Sequence, residues 1–219
     1  MIRTRHLPAL LAPLALAACA TTPAPGPSPQ DAFWSALSSH CGKAYTGGMA
    51  SEDARDADWA GKRMVAHWAE CSEARIAIAF HVEDTEAPGG WNRSRTWIVT
   101  RGEIVTTSEP GTKFLTLKHD HRHADGESDA VTFYGGTTGD RGTATAQNFP
   151  VDRHSIDLFQ KEGLDASLTN VWRIEIDPAG TSDARFVYQL TRRNDPTRRF
   201  RVEFDASEPA PAPPPAWGW

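Results

Sequence analysis

The feature that most restricts the fold of this chain is a period-two alternation of apolar and polar residues, repeated from residue 64 onward. Alternation with this period is typical of a strand with one buried face. In the clearest example, every second residue is apolar: Ile76, Ile78, Phe80 and Val82. Further candidate strands are 64–69, 94–100, 104–107, 113–123, 130–134, 143–149, 170–176, 185–190 and 199–204.

Short turn signals separate these segments, among them Pro110-Gly111, Asp125-Gly126 and Gly135-Gly136. So many strands joined by short turns predict an antiparallel meander. Because open sheet edges promote aggregation, a sheet of this length has to close or split. We therefore expect a mainly β fold, an up-and-down barrel of the lipocalin-like kind, with a β-sandwich as the alternative. A short helix over 31–39 should precede it.

Composition fits one globular domain. The chain has 219 residues, of which 39% are hydrophobic and 23% charged, and its formal net charge is −5. There is no basic excess to neutralise phosphates, so we expect no nucleic-acid partner.

The first residues have the pattern of an export signal. Arg3 and Arg5 precede an apolar stretch, 7–18, that is too short to span a bilayer. Leu16-Ala17-Ala18-Cys19 resembles the lipobox of bacterial lipoproteins, in which diacylglycerol is attached to the cysteine. We therefore expect a signal peptide over 1–18, a lipid anchor on Cys19 and a periplasm-facing place on the outer membrane. The alternative is an ordinary signal peptide cleaved nearby.

The remaining chain divides into three parts. A proline-rich tether over 19–30 should lead into a single β domain over 31–207. The tail, 208–219, is also proline-rich but contains Trp217 and Trp219. Because two exposed tryptophans are costly, we expect this tail to pack against the domain.

Two cysteines remain after Cys19. Cys41 and Cys71 should form a disulfide, since an exported protein folds in an oxidising compartment. The alternative, a cysteine-based metal or redox pair, lacks a close spacing such as C-x-x-C.

Residues 118–126, KHDHRHADG, hold the densest group of chemically active side chains. Strand alternation places His119, His121 and His123 on the same face as Leu115 and Leu117, toward the barrel interior. A three-residue turn over 124–126 would then set Asp129 opposite His121, Val131 opposite His119 and Phe133 opposite Leu117.

This row suggests a candidate site for a divalent metal such as zinc, with His119, His121, His123 and Asp129 as possible ligands. His119 and His123 are about 13–14 Å apart along a strand, so a real site would use two adjacent histidines and groups from neighbouring strands. Asp129, His81 and His154 are the candidates for those groups. The alternative is a hydrogen-bonded polar cluster inside the barrel.

An ordered set of short motifs resembles a family of bacterial secreted proteins and lipoproteins that has no assigned activity. The most specific motif is the 118–126 stretch, and the others include CGKAY at 41–45, YGG at 134–136 and FRVEF at 200–204. The resemblance implies an envelope location and a single domain over about 31–219. It assigns no catalytic residue.

Three functions fit these patterns. The first is an outer-membrane lipoprotein that binds a small or hydrophobic ligand in its barrel, since the sequence contains no complete catalytic constellation. The second is a hydrolase-like, metal-dependent enzyme built on the histidine strand, in which a zinc-bound water would be the nucleophile or base. The third is an envelope protein-interaction module that uses the tail.

Overall fold

Ten antiparallel strands follow one another around the molecule almost in chain order. The computed structural model describes residues 26–104 and 111–219. The strands are β1 Ala44–Met49, β2 Met64–Cys71, β3 Arg75–Glu83, β4 Trp91–Ile104, β5 Thr112–His121, β6 Tyr134–Thr137, β7 Ala146–Pro150, β8 Asn170–Ile176, β9 Arg185–Arg192 and β10 Arg199–Asp205. The helices are α1 Pro29–Ser38 and α2 Arg153–Lys161, with 3₁₀ turns at Ala54–Trp59, Pro88–Gly90 and Asp165–Ser167.

The sheet is a nearly closed barrel. β1 to β6 form one meander, β7 to β10 form a second, and β1 pairs with β10 to join the two. The ends of the sheet, β6 and β7, meet at a single bridge between Gly136 and Val151. The prediction of a mainly β, up-and-down antiparallel barrel with a short N-terminal helix is therefore confirmed.

Helix α2 covers the seam between β6 and β7. Its N-cap, Asp152, donates its backbone N–H to the carbonyl of Gly135 at 3.1 Å. The N–H of Gly135 donates in turn to Ser155 Oγ at 2.7 Å. These bonds satisfy backbone groups that a strand at the edge of a sheet leaves unpaired.

Aromatic side chains fill the barrel interior. The largest fully buried side chains include Trp68, Trp97, Trp172, Phe149, Phe186 and Phe204. Trp97 lies at the centre, stacked on Phe80 and Tyr188 with ring centroids 4.5 and 4.3 Å away. Residues that alternate along each strand thus supply a packed core, as in other small barrels.

Both ends of the barrel carry a covering element. At one end, which we call the α1 end, helix α1 buries Phe33, Trp34 and Leu37 in the core. At the opposite end, the α2 end, Trp59 of the 3₁₀ turn packs on Phe80 and Phe200. Phe159 of α2 packs on Tyr134 at the same end.

The C-terminal residues 208–219, which we call the strap, lie against the outer face of the barrel, as expected. Ala210 pairs with Ala44, and His81 Nε2 donates to the carbonyl of Pro214 at 3.0 Å. At its tip, Trp219 Nε1 donates to Asp120 Oδ2 at 2.9 Å. Asp120 lies on the outer face of its strand, and the strap leaves it only 1% exposed there.

The predicted disulfide between Cys41 and Cys71 is present and joins the segment after α1 to the end of β2. The signal peptide over 1–18, Cys19 and most of the tether lie outside the described residues. Within residues 26–104 and 111–219, no helix is long and apolar enough to cross a membrane.

Several local predictions need correction. The first helix begins at Pro29 rather than at residue 31, because Ser28 caps it. The 94–100 strand extends as β4 from Trp91 to Ile104, so the separate strand over 104–107 is wrong for Ile104, and its other residues lie outside the described chain. The sequence reading missed β1, whose two central glycines have low strand propensity, and also α2.

Candidate functional site

Five polar side chains meet inside the α2 end of the barrel. They project from β4, β5, β6 and β9, and we call them the polar cluster: Arg95, His119, His121, Tyr134 and Tyr188. Strand alternation puts His119 and His121 on the interior face, as predicted from their phase with Leu115 and Leu117. His119 is only 2% exposed, whereas His121 is partly buried.

Hydrogen bonds fix the tautomer of His119. Its Nδ1 lies 3.1 Å from the carbonyl oxygen of Tyr134, which can only accept, so Nδ1 carries the proton. Its Nε2 therefore accepts from the hydroxyl of Tyr188 at 2.7 Å. Burial, followed by the nearby His121, lowers the pKa of His119 to about 3. The ring is neutral at physiological pH.

His121 shares its polar contact with Tyr134, whose hydroxyl lies 3.1 Å from His121 Nε2. Burial and the positive charge of Arg95 lower the pKa of His121 to about 4. Burial also raises the pKa of Tyr134 to about 12 and that of Tyr188 well above its usual value. At neutral pH, Arg95 is therefore the only charged member of the cluster.

Arg95 occupies the interior phase of β4 with Trp97 and Val99. Its guanidinium carbon lies 4.9 Å from the ring centroid of Trp59. Its Nη1 donates to Ser94 Oγ at 2.9 Å and lies 3.5 Å from Asn92 Oδ1. No carboxylate in the described part of the chain forms a salt bridge with it, and burial lowers its pKa.

A hollow of about 200 Å³ opens beside this arginine at the α2 end. Trp59 and Val82 supply apolar walls, and Asn92 and Arg95 supply polar ones. Four further charged side chains line it: Asp58, Lys62, Glu83 and Asp84. Arg95 therefore belongs both to the polar cluster and to the lining of an accessible cavity.

The predicted metal ligands do not converge. His119 uses both ring nitrogens in hydrogen bonds, and His123 is exposed beyond the end of β5. Asp129 accepts the backbone N–H of Val131 at 3.1 Å. Over residues 26–104 and 111–219, no group of three or more His, Cys, Asp or Glu side chains has a geometry suited to a metal ion.

The other proposed metal partners also lie apart from the row. His81 is buried on the outer face beneath the strap, and His154 is exposed on α2. The structure therefore gives the metal proposal no support, and what it brings together instead is the hydrogen-bonded cluster.

The predicted pairing after the histidines is correct only in its first part. The N–H of Asp129 donates to the carbonyl of His121 at 2.9 Å, as the three-residue turn required. Residues 130–133 then loop out, and the register shifts by three residues, so that Tyr134 rather than Val131 pairs with His119. Gly136 rather than Phe133 faces Leu117, and the predicted strand over 130–134 is wrong except for Tyr134, which begins β6.

Sequence reasoning missed Arg95, Tyr134, Tyr188 and Trp59 as members of the site. One signal was available for Arg95, because it alternates in phase with Trp97 and Val99 within the predicted strand 94–100. A charged residue at an interior position is unusual, since burying an ion without a partner is costly. Trp59 and Tyr188 have no such signal, because they reach the site from remote parts of the chain.

Larger grooves lie at the α1 end. One of about 410 Å³ is lined by Trp34, Arg101 and Phe114, among others. Another of about 710 Å³ lies between Gln30, Ile104 and Arg141. Neither contains a member of the polar cluster.

Comparison with known proteins yields no match: no family model fits the sequence, and no curated protein or solved structure is detectably similar. Functional inference therefore depends on the chain itself.

Proposed function

We propose that this protein is a cell-envelope lipoprotein that binds a small ligand at the α2 end of its barrel. The observation that carries the ligand-binding part is the juxtaposition of a hollow of about 200 Å³ with the guanidinium of Arg95. Small-molecule sites are typically concave and mostly apolar, with a few converging polar groups, and this combination fits that description.

The packed interior leaves little room for a ligand inside the barrel. Trp68, Trp97 and Trp172 occupy the space that a hydrophobic ligand would need within the barrel. The mouth at the α2 end is a better place, since Trp59 provides an aromatic wall and is itself partly buried. The proposal therefore favours a small ligand over a long lipid chain.

The anchoring part of the proposal comes from the sequence alone. Arg3 and Arg5, the apolar stretch and the Leu16-to-Cys19 motif support export, lipidation of Cys19 and attachment to the periplasmic face of the outer membrane. Metabolic labelling with an alkyne analogue of palmitate tests it. The label should enter the wild-type chain and disappear in Cys19→Ala, and a label retained by that variant would contradict the assignment.

The ligand-binding part is tested with small molecules extracted from the envelope of cells that make the protein. Native mass spectrometry should detect an adduct on the wild-type protein that is lost in Trp59→Ala. Leu164→Ala is the matched control, because Leu164 is 38% exposed and lies outside the hollow. An adduct that survives Trp59→Ala, or that NMR maps to the grooves around Phe114, would overturn the assignment of the site.

A further inference from the structure

Arg95 forms no ion pair within the described residues. Arg93 and Arg192 share this property, but of the three only Arg95 lines the hollow. Other partly buried arginines do have carboxylate partners. Arg198 forms ion pairs with Asp53 and Asp56, its Nη1 lying 2.5 Å from the latter. Three more arginines have carboxylate partners at 2.6 to 2.9 Å: Arg122, Arg173 and Arg201. Within the described residues, Arg95 hydrogen-bonds only to the neutral oxygens of Ser94 and Asn92, and the carboxylate of Asp129 acts on its charge without forming an ion pair with it. A charge removed from water without a counter-ion is unfavourable, so this position suits an anion from outside.

The hydrogen bonds of Arg95 leave one edge of its guanidinium without a partner. Both bonds within the described residues use Nη1, and none uses Nε or Nη2. The parallel N–H groups of Nε and Nη2 form a fork that matches the two oxygens of a carboxylate. The guanidinium carbon lies over the ring of Trp59, 4.9 Å from its centroid.

The charges around the hollow count against a doubly negative ligand. Lys62 and Arg95 line it together with three acids, Asp58, Glu83 and Asp84. Glu83 also pairs with Arg63 at 3.4 Å. A dianion such as a phosphate monoester would meet stronger repulsion from these acids, while a carboxylate needs only one guanidinium.

The size and walls of the hollow limit the rest of the ligand. A volume of about 200 Å³ equals that of roughly seven waters in the liquid. Trp59 and Val82 offer apolar surface to a ring or a short chain. Long acyl chains are too large for this space.

We propose that the ligand of the α2 end is a small monocarboxylate whose carboxylate lies in the Nε/Nη2 fork of Arg95, with its apolar body against Trp59. This inference rests on the proposed function and gives the chemical class of the ligand. His121 and Tyr134 are the polar neighbours of the guanidinium, so the ring resonances of His121 report on binding.

Three probes that share a phenyl ring test, on the wild-type protein, whether the ligand is a monocarboxylate. Benzoate, benzamide and phenyl phosphate are titrated at constant ionic strength, and binding is followed by NMR of the His121 ring and by calorimetry. Benzoate should bind at least about ten-fold more tightly than either analogue, since a charge-assisted fork adds about that much. Equal binding of benzamide, or tighter binding of phenyl phosphate, would overturn the proposal without any variant being made.

Two substitutions locate the site. Arg95→Gln should weaken benzoate binding about ten-fold or more, and Arg95→Lys, which keeps the charge but loses the fork, should weaken it by a smaller factor. Arg101→Gln is the matched control. Arg101 lies on the same strand, and its guanidinium carbon is 5.1 Å from the ring centroid of Trp34 at the other end of the barrel. Benzoate binding in this control should equal that of the wild type.

The outcomes separate this inference from the proposed function. An envelope-derived adduct that depends on Trp59, together with benzoate binding that is unchanged in Arg95→Gln, would leave the ligand site standing and overturn the carboxylate fork. Failure of all three probes to bind at millimolar concentration would also overturn the carboxylate proposal. If native mass spectrometry detects no envelope-derived adduct on the wild-type protein, the proposed function is overturned.

Discussion

The Nε2 atom of His119 lies 2.7 Å from the hydroxyl of Tyr188, and this bond crosses the interior from β5 to β9. Because Nδ1 of the same ring donates to the carbonyl of Tyr134, the tyrosine hydroxyl has to be the donor. A second pair lies near the α1 end with the roles of the two nitrogens exchanged: His40 Nδ1 lies 2.7 Å from the hydroxyl of Tyr45, and Nε2 donates to the carbonyl of Asp177 at 2.8 Å. In both pairs, one nitrogen of a buried neutral imidazole donates to a backbone carbonyl and the other accepts from a tyrosine hydroxyl.

Replacing Tyr188 with Phe should lower the free energy of unfolding by about 1–3 kcal/mol. The substitution keeps the ring that stacks on Trp97 but leaves His119 Nε2 as a buried acceptor without a donor. Urea unfolding followed by circular dichroism measures the change. The control is Ser207→Ala, because Ser207 is exposed and its hydroxyl contacts only Asp205.

Ser207→Ala should change the stability by less than about 0.5 kcal/mol. If Tyr188→Phe is equally neutral, the hydroxyl does not bond to His119 in solution, and the tautomer assigned to that ring loses its basis.

Strand alternation explains which parts of the fold were predictable. The phase of Leu115, Leu117, His119 and His121 follows from local geometry, because successive side chains of a strand point to opposite faces. The barrel followed from the number of strands and their short connections. The disulfide followed from the compartment and the two remaining cysteines.

The unpredicted features depend on contacts between remote residues. Phe133 adopts a φ of +53°, which is rare for any residue but glycine, and the loop around it shifts the register after Asp129 by three residues. No local pattern signals this change. The neighbours of Arg95 likewise come from the 3₁₀ turn at Ala54–Trp59 and from β9, so only its interior phase was visible in the sequence.

Removing the disulfide should lower the free energy of unfolding by about 3–4 kcal/mol. Cys41 and Cys71 are 30 residues apart, and the loop-entropy model gives this range for a loop of that length. Urea unfolding with and without reductant measures the effect in the wild type. The double variant Cys41→Ser/Cys71→Ser should be as unstable as the reduced wild type and insensitive to reductant. A wild type that is itself insensitive to reductant would contradict the prediction.

Weakening the tip of the strap should destabilise the protein by about 2 kcal/mol. In Trp219→Ala, the nearly fully buried Asp120 loses a hydrogen-bond donor, and Arg75 loses the ring that its guanidinium carbon approaches to 5.0 Å. Trp219→Phe keeps a ring and loses only the indole N–H, so its effect should be intermediate. Urea unfolding gives the stability, and limited proteolysis should show faster cleavage of the strap.

Pro211→Ala is the control for the strap, because Pro211 is exposed. It should leave both stability and cleavage rate unchanged. Identical behaviour of Trp219→Ala and Pro211→Ala would mean that the strap tip is not docked on Asp120.

Stability should fall as the pH is lowered from about 6.5 to about 4, because buried histidines have a lowered pKa in the folded chain. Burial lowers the pKa of His119 to about 3 and that of His81 to about 4, against 6.5 for an exposed ring. In this window the unfolded chain binds protons that the folded chain does not, so the free energy of unfolding decreases as the pH falls. Each of these rings contributes up to about 1.4 kcal/mol per pH unit, and His121, whose pKa is also lowered to about 4, contributes on the same scale. Urea unfolding at a series of pH values measures the slope.

His119→Gln should reduce this slope, whereas His154→Gln should not, because His154 is exposed in the folded chain as it is in the unfolded one. A slope that is the same in the wild type and in His119→Gln would show that His119 is not buried as a neutral ring.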